Sequence, residues 1–305
     1  MKDRFFLLRF HLIRRLERSL PADVFYLVIW VQACIRTAFR IFKDAPPALP
    51  LPPCLRVNTS VRTVRQWRIE YYLRQALVYF PDRLATAKWQ RRCRINGIEN
   101  LRQAQASGRP VIVAFSHFGP YSLIGYWLRA AGLPAATLVA KKSSGRGLLR
   151  LLGDELSPIP NKPTVMYMEQ LRQVSGFLAA RNTLLVAVDS DFGKQIDVPV
   201  GDGSYFRMAV GAIRMATRYQ AELVACNITA EGPWRYRIDI SSAAPREWLV
   251  EGADPAPVGK WLLDRMLPQI QAHPQQCPPS LIKAFQPKPA TDTLTAPRQD
   301  ELVSA

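Results

Sequence analysis

Short, unbroken apolar runs alternating with helix-length segments restrict the fold of this chain more than any other feature. The clearest run is Val111–Phe115, VIVAF, set between the turn residues Ser107-Gly108-Arg109-Pro110 and the string SHFG. Five consecutive apolar residues leave no polar face, so both faces must be covered, as in the central strands of a parallel sheet. Similar runs follow at 136–140 (ATLVA), 183–189 (TLLVAVD) and 222–228 (ELVACNI), and 235–240 (RYRIDI) alternates in polarity. Helices are predicted over Ile98–Ala106, over a segment ending at Gly132, and over 165–181, 207–219 and 259–270. Strand and helix in alternation predict an α/β fold: a mixed, largely parallel sheet flanked by helices. Apolar residues at 48% suffice for such a core and exclude a disordered or collagen-like chain.

The 305-residue chain carries 41 Lys and Arg against 24 Asp and Glu, a formal charge of +17. Residues 1–110 hold 21 of the basic groups and only 7 of the acidic ones. The same end is rich in apolar and aromatic residues, which favours an anionic membrane surface over nucleic acid as the partner. Residues 2–19 mix eight large apolar residues with five arginines, the pattern of a basic amphipathic helix. Residues 24–35, VFYLVIWVQACI, form an apolar stretch well short of the roughly 20 residues that span a bilayer. Two readings stay open: an interfacial anchor over 1–44, or a core helix with a basic flank.

Five prolines in 45–55 predict an extended linker, because proline fixes φ and removes a donor. Residues 61–95 read as arginine-rich helices. The main domain is expected over 56–285 and a disordered tail over 286–305, which has no periodicity. Five cysteines without a CxxC pair, and only three histidines, point to no disulfide framework and no metal site.

His117 is the candidate for chemistry. It follows the strand Val111–Phe115 directly, at the edge of an open α/β sheet where ligands bind. A histidine there can act as general base for a hydroxyl or amine nucleophile. Asp189 and Asp191 close the 183–189 run. They either orient an acceptor head group, replace an acid partner, or cap a turn. Arg207 and Arg214, seven apart on a predicted helix, would share one face and offer phosphate contacts. The loop 141–147, KKSSGRG, is basic and lacks the spacing of a phosphate-binding P-loop.

The string SHFGPYSLIG resembles the HxxxxD/E motif of the lysophospholipid acyltransferase superfamily. Within it, the string is most like the lipid A branch that adds secondary acyl chains, whose usual form reads HFGNWE. His117, Phe118 and Gly119 match. VAVDSDFGKQIDVPV, SYFRMAVGAIRMATRYQAELVACNI and the closing HPQQC resemble later family segments in the same order, over about residues 20–285. The resemblance implies transfer of a fatty acyl group from acyl carrier protein or coenzyme A to a lipid or glycolipid hydroxyl. No metal or redox cofactor is implied. His117 would be the base, with backbone amides on the oxyanion. Phe118, Gly119, Asp189, Asp191, Arg207 and Arg214 would line the substrate site, and the basic loop would dock the acidic carrier protein. The implied location is the cytoplasmic face of a bacterial inner membrane. The chain departs from the motif at its acid: Ser122 stands five residues after His117. A serine there would hold the His117 Nδ1 through a neutral hydrogen bond. Slow transfer, an amine acceptor, or a non-catalytic lipid-binding protein with a degenerate site are the alternatives that this change opens.

Overall fold

The computed structural model describes residues 12, 15–16, 19–41, 55, 65, 69, 72–73, 91–139, 164–201, 203–232 and 235–287. The expectations for most of 2–19, for residues 45–54, for most of the arginine-rich segment 61–90, for the basic loop at 141–147 and for the tail beyond 287 lie outside these residues.

Among the described residues, seven strands form the main sheet. They are β1 (Cys93–Asn96), β2 (Val111–Phe115), β3 (Ala135–Val139), β4 (Thr164–Tyr167), β5 (Thr183–Ala187), β8 (Glu222–Gly232) and β9 (Arg235–Ala243), in the order β1-β9-β8-β2-β5-β3-β4. Only the β8–β9 hairpin is antiparallel. A second, antiparallel sheet joins β6 (Gln195–Pro199), β7 (Ser204–Ala209) and β10 (Phe285–Pro287), with β7 in the middle. The expected mixed, largely parallel sheet is therefore present.

Each central strand divides its side chains between two apolar layers. Ile112 and Ala114 of β2, with Leu184 and Val186 of β5, face one layer. This layer holds α4 (Leu171–Ala179), α5 (Gly211–Arg218), α6 (Ala256–Ala272), α7 (Pro279–Ala284) and the small sheet. Val111, Val113 and Phe115 face the other layer, under α1 (Ala22–Ile41), α2 (Ile98–Ala106) and α3 (Ile124–Ala130). All five β2 residues are buried, which is what their unbroken apolar character required. Full burial of each large aliphatic side chain contributes about 1.5–3 kcal/mol, so this strand anchors whatever leaves its end.

Four expectations are corrected. Residues 165–181 are not one helix: Thr164–Tyr167 is the edge strand β4, followed by α4. Residues 207–219 are not one helix either: Ser204–Ala209 is β7, and α5 starts at Gly211. The 4–6-residue strands abut the helices, so the combined apolar pattern mimicked a longer helix. Residues 93–95, read as helical, belong to the strand β1 and pair with β9. Gln286 and Pro287, assigned to the tail, pair with Tyr205 and Ser204.

The α1 helix has one buried and one exposed apolar face. Phe25, Ile29, Ala33 and Thr37 recur every four residues and are buried. Leu27, Trp30, Ile35 and Phe39 are exposed, Phe39 at 72%. No helix of the described residues is long and apolar enough to cross a membrane.

Candidate active site

Strand register brings the site together. In the parallel pair β2–β5, Val111 stands beside Thr183 and Phe115 beside Ala187. Carried two residues beyond both strands, the same offset sets His117 against Asp189. Their bonding is direct. The His117 Nδ1 lies 2.9 Å from Asp189 Oδ1, and the His117 backbone N–H is 3.1 Å from both carboxylate oxygens. The neighbouring backbone is tied as well, with the Val188 N–H donating to the Phe115 carbonyl at 2.9 Å.

The Asp189 side chain is fully buried and the His117 side chain 30% exposed. An ionised carboxylate so placed needs compensating donors, and His117 supplies both. Burial pulls the His117 pKa down, while the Asp189 charge and its hydrogen bond pull it up. The net result lies above the ordinary histidine value. Donation from Nδ1–H to the carboxylate fixes the tautomer with Nε2 free to take a proton, and the carboxylate stabilises the imidazolium that follows. The Tyr121 ring meets the imidazole edge-on, with centroids 4.6 Å apart.

The expectation that Ser122 holds Nδ1 is thus corrected. Ser122 sits in a single 3₁₀ turn, Tyr121–Leu123, and no hydrogen bond joins it to His117 among the described residues. The acid comes from the end of the next strand instead of from the following turn. Phe118 is 1% exposed and belongs to the core, so it supports the turn from below. Gly119 adopts φ +58°, and its close approach is to protein: a Cβ there would stand 2.0 Å from the Ile228 carbonyl oxygen.

Gln276, in the closing HPQQC string, secures this turn. Its side-chain amide bonds both ways with the Ala230 backbone, at 2.7 and 2.9 Å, and its backbone carbonyl accepts the Gly119 N–H at 3.2 Å. Sequence reasoning assigned only packing to this segment, through His273. The glutamine's buried position, 2% exposed, was not readable from one polar residue among several. His273 itself caps the end of α6 and carries a lowered pKa, through burial and the nearby Arg237 charge.

Beside Asp189 opens a cavity of about 220 Å³, lined by Asp189, Asp191, Gln195, Arg207, Lys283, Ala284 and Gln286. It unites Asp191 and Arg207 but not Arg214. Arg207 lies on β7 and Arg214 on α5, exposed, so the expected shared helical face does not exist. Arg207 Nε donates to Asp197 across the β6–β7 pair at 3.2 Å. Lys283 and Gln286 join the site because α7 and β10 return beside β7. No group of three or more His, Cys, Asp or Glu among the described residues is placed to hold a metal ion.

Residues 76–277, about two thirds of the chain, match the family model of the bacterial lipid A biosynthesis acyltransferases, a span that holds His117, Asp189 and Gln276. The chain belongs to that family. It is an acyltransferase. The fold also aligns with the crystal structure of the 1-acyl-sn-glycerophosphate (LPA) acyltransferase PlsC from Thermotoga maritima. That alignment has 12% identity and a TM-score of 0.42, covering 91% of this chain and 100% of that one. No curated protein is matched by the sequence. For a lipid A-family acyltransferase the unusual feature is the acid: the motif position is Ser122, and the carboxylate on the histidine is Asp189.

Proposed function

We propose that this lipid A-family acyltransferase moves a fatty acyl group from a thioester, carried by acyl carrier protein or coenzyme A, to a hydroxyl of a lipid or glycolipid acceptor. The observation that carries the reading is the His117–Asp189 pair at the exposed end of a fully buried strand. His117 Nε2 takes the hydroxyl proton while the oxygen attacks the thioester carbonyl carbon. The tetrahedral intermediate collapses, the carbon–sulfur bond breaks, and the imidazolium returns the proton to the departing thiolate. Asp189 stays ionised and stabilises the imidazolium between these steps. The alternative of a degenerate, non-catalytic site drew its support from Ser122. A carboxylate already on Nδ1 removes that support. Lipid mass spectrometry of cells carrying wild type or His117→Ala tests the reading. A lipid product that needs the wild-type histidine is expected, and identical lipids with a folded mutant would end it.

The acceptor and enzyme would meet at the inner, cytoplasmic membrane face, with the outward side of α1 set into the lipid interface and the basic N-terminal third against anionic head groups. The exposed Leu27, Trp30 and Phe39 support this docking. Deleting 1–44 would also strip Phe25 and Ile29 from the core, so the sound test changes only the outward face. A Leu27→Glu, Trp30→Glu, Phe39→Glu chain should fold and leave anionic vesicles. Undiminished binding would refute the docking.

A further inference from the structure

The cavity beside Asp189 has a charge pattern that the transfer step does not use. Asp189 is committed to His117. The other polar lining groups come from separate elements: Asp191 from the loop after β5, Gln195 from β6, Arg207 from β7, Lys283 from α7 and Gln286 from β10. Strand pairing explains their meeting. Phe285 stands opposite Phe206, and Gln286 opposite Tyr205, so the segment 283–286 runs past Arg207.

The bonds already made inside this cavity leave a defined remainder. Arg207 gives Nε to Asp197 and keeps its two terminal nitrogens. Gln195 donates to the Ser190 carbonyl and Gln286 to the Lys283 carbonyl, so each keeps a side-chain oxygen as acceptor. Among the described residues, neither the Asp191 carboxylate nor the Lys283 ammonium has a side-chain partner in a hydrogen bond or ion pair. One free anion, one free cation, a half-used guanidinium and two amide acceptors thus line one space.

Size and polarity argue against an acyl chain there. About 220 Å³ corresponds to roughly seven water volumes, and among the described residues Ala284 is the one apolar side chain on its wall. A purely anionic group would meet Arg207 and Lys283 favourably but Asp191 unfavourably. A neutral polyol would leave both free charges without a counter-charge. A group with both signs satisfies all of them.

We propose that this cavity receives the acceptor's head group, and that it is built for a zwitterion, with an ammonium held by Asp191 and the glutamine oxygens and a phosphate or carboxylate held by Lys283 and Arg207. The inference rests on the acyltransferase reading and narrows its acceptor. Asp189 connects the two sites: it lines the head-group cavity and holds the base. A head group seated there lies against the residue that holds the base. Asp191 holds an ammonium that does not react, since pairing with a carboxylate keeps that nitrogen protonated and unable to attack.

The test uses three probes with one acyl chain in common: lysophosphatidylethanolamine (zwitterionic), lysophosphatidic acid (anionic) and monoacylglycerol (neutral). Binding in mixed micelles is measured on the full-length His117→Ala chain, and transfer from acyl-CoA and acyl carrier protein on the wild type. The zwitterion should bind about tenfold more tightly than either other probe, the difference that one charge-assisted hydrogen bond supplies. Asp191→Asn should erase the preference over lysophosphatidic acid. Lys283→Gln should erase the preference over monoacylglycerol. Equal binding of all three probes, or tightest binding of lysophosphatidic acid with Asp191→Asn silent, overturns the proposal. Selective binding without transfer to any acceptor would instead sink the acyltransferase reading and keep the cavity. Transfer without selectivity would do the reverse.

Discussion

The two ends of the central sheet carry cavities of nearly equal size and opposite chemistry. At the end where β2 and β5 finish, the 220 Å³ cavity mixes carboxylates, cations and amides beside His117. At the end where they begin, a cavity of about 230 Å³ is lined by Gly108, Arg109, Pro110, Arg181, Gln220 and their apolar neighbours, with no carboxylate. The backbone strain also lies at this second end. Arg181 and Gln220 adopt φ of 60° and 48°, each just past the end of a helix, α4 or α5. A left-handed residue there closes the helix before the next strand starts. Arginines beside helix C-termini offset the negative dipole ends, and Arg109 also donates to the Gln220 carbonyl at 3.4 Å. One end is therefore organised by helix capping and the other by convergent side chains. Cavity size does not separate a site from a seam; the way charges are paired does.

The comparison is broken most directly at Asp189. Asp189→Asn keeps the shape but offers Nδ1 a donor, which favours the wrong tautomer. Steady-state kinetics should show a loss of about 10³–10⁴ in kcat, by analogy with the acid of a serine-protease triad. Ser122→Ala should change kcat little, and a large loss there would restore the serine to the mechanism. The pH profile carries a second readout. The neutral imidazole is the base, so wild-type activity should fall as pH drops through the raised His117 pKa, above the usual value of about 6.5. Asp189→Asn removes the raising charge and leaves the burial, so the acid limb should move to lower pH. The sign for stability is the opposite: this pair contributes fully below the unfolded histidine value, and its contribution is lost as pH rises through the folded one.

A smaller effect is expected one turn further on. In Gly119→Ala the new methyl meets the Ile228 carbonyl, so the turn must lift from β8 and carry His117 with it. A displacement near 1 Å costs about 10² in rate, measured as kcat on protein that is still folded by circular dichroism. An unchanged kcat would show that the turn is not what positions the base. The smallest effect belongs to the other end of the sheet. Gln220→Gly relieves a left-handed side chain and should raise stability by several tenths of a kcal/mol, on the order of what a compatible glycine gains at a helix end, in urea denaturation. Its activity should equal wild type. A drop would mean that this second end of the sheet also serves the reaction.

The sequence alone determined the parallel core and the location of the base. Five apolar residues in a row cannot rest with one face in water, so β2 had to be central, and a histidine following it had to lie at the sheet's ligand-binding edge. It also carried the family's motif order, with the missing acid visible as Ser122. What replaced that acid was decided by tertiary structure. Asp189 is 72 residues from His117 in sequence, and only the β2–β5 register turns that separation into a 2.9 Å contact. Asp189 could be weighed as a substitute from the sequence but not chosen over a turn cap, because both readings place a carboxylate after a strand. Arg207 was misplaced because a short strand leading into a helix has the apolar spacing of a longer helix. Lys283, Gln286 and Gln276 were missed for a related reason: each is an ordinary polar residue until the chain's return beside β7 and β8 sets it against the site. Local burial is written in residue types, whereas a site assembled across strand ends depends on register, which no single segment encodes.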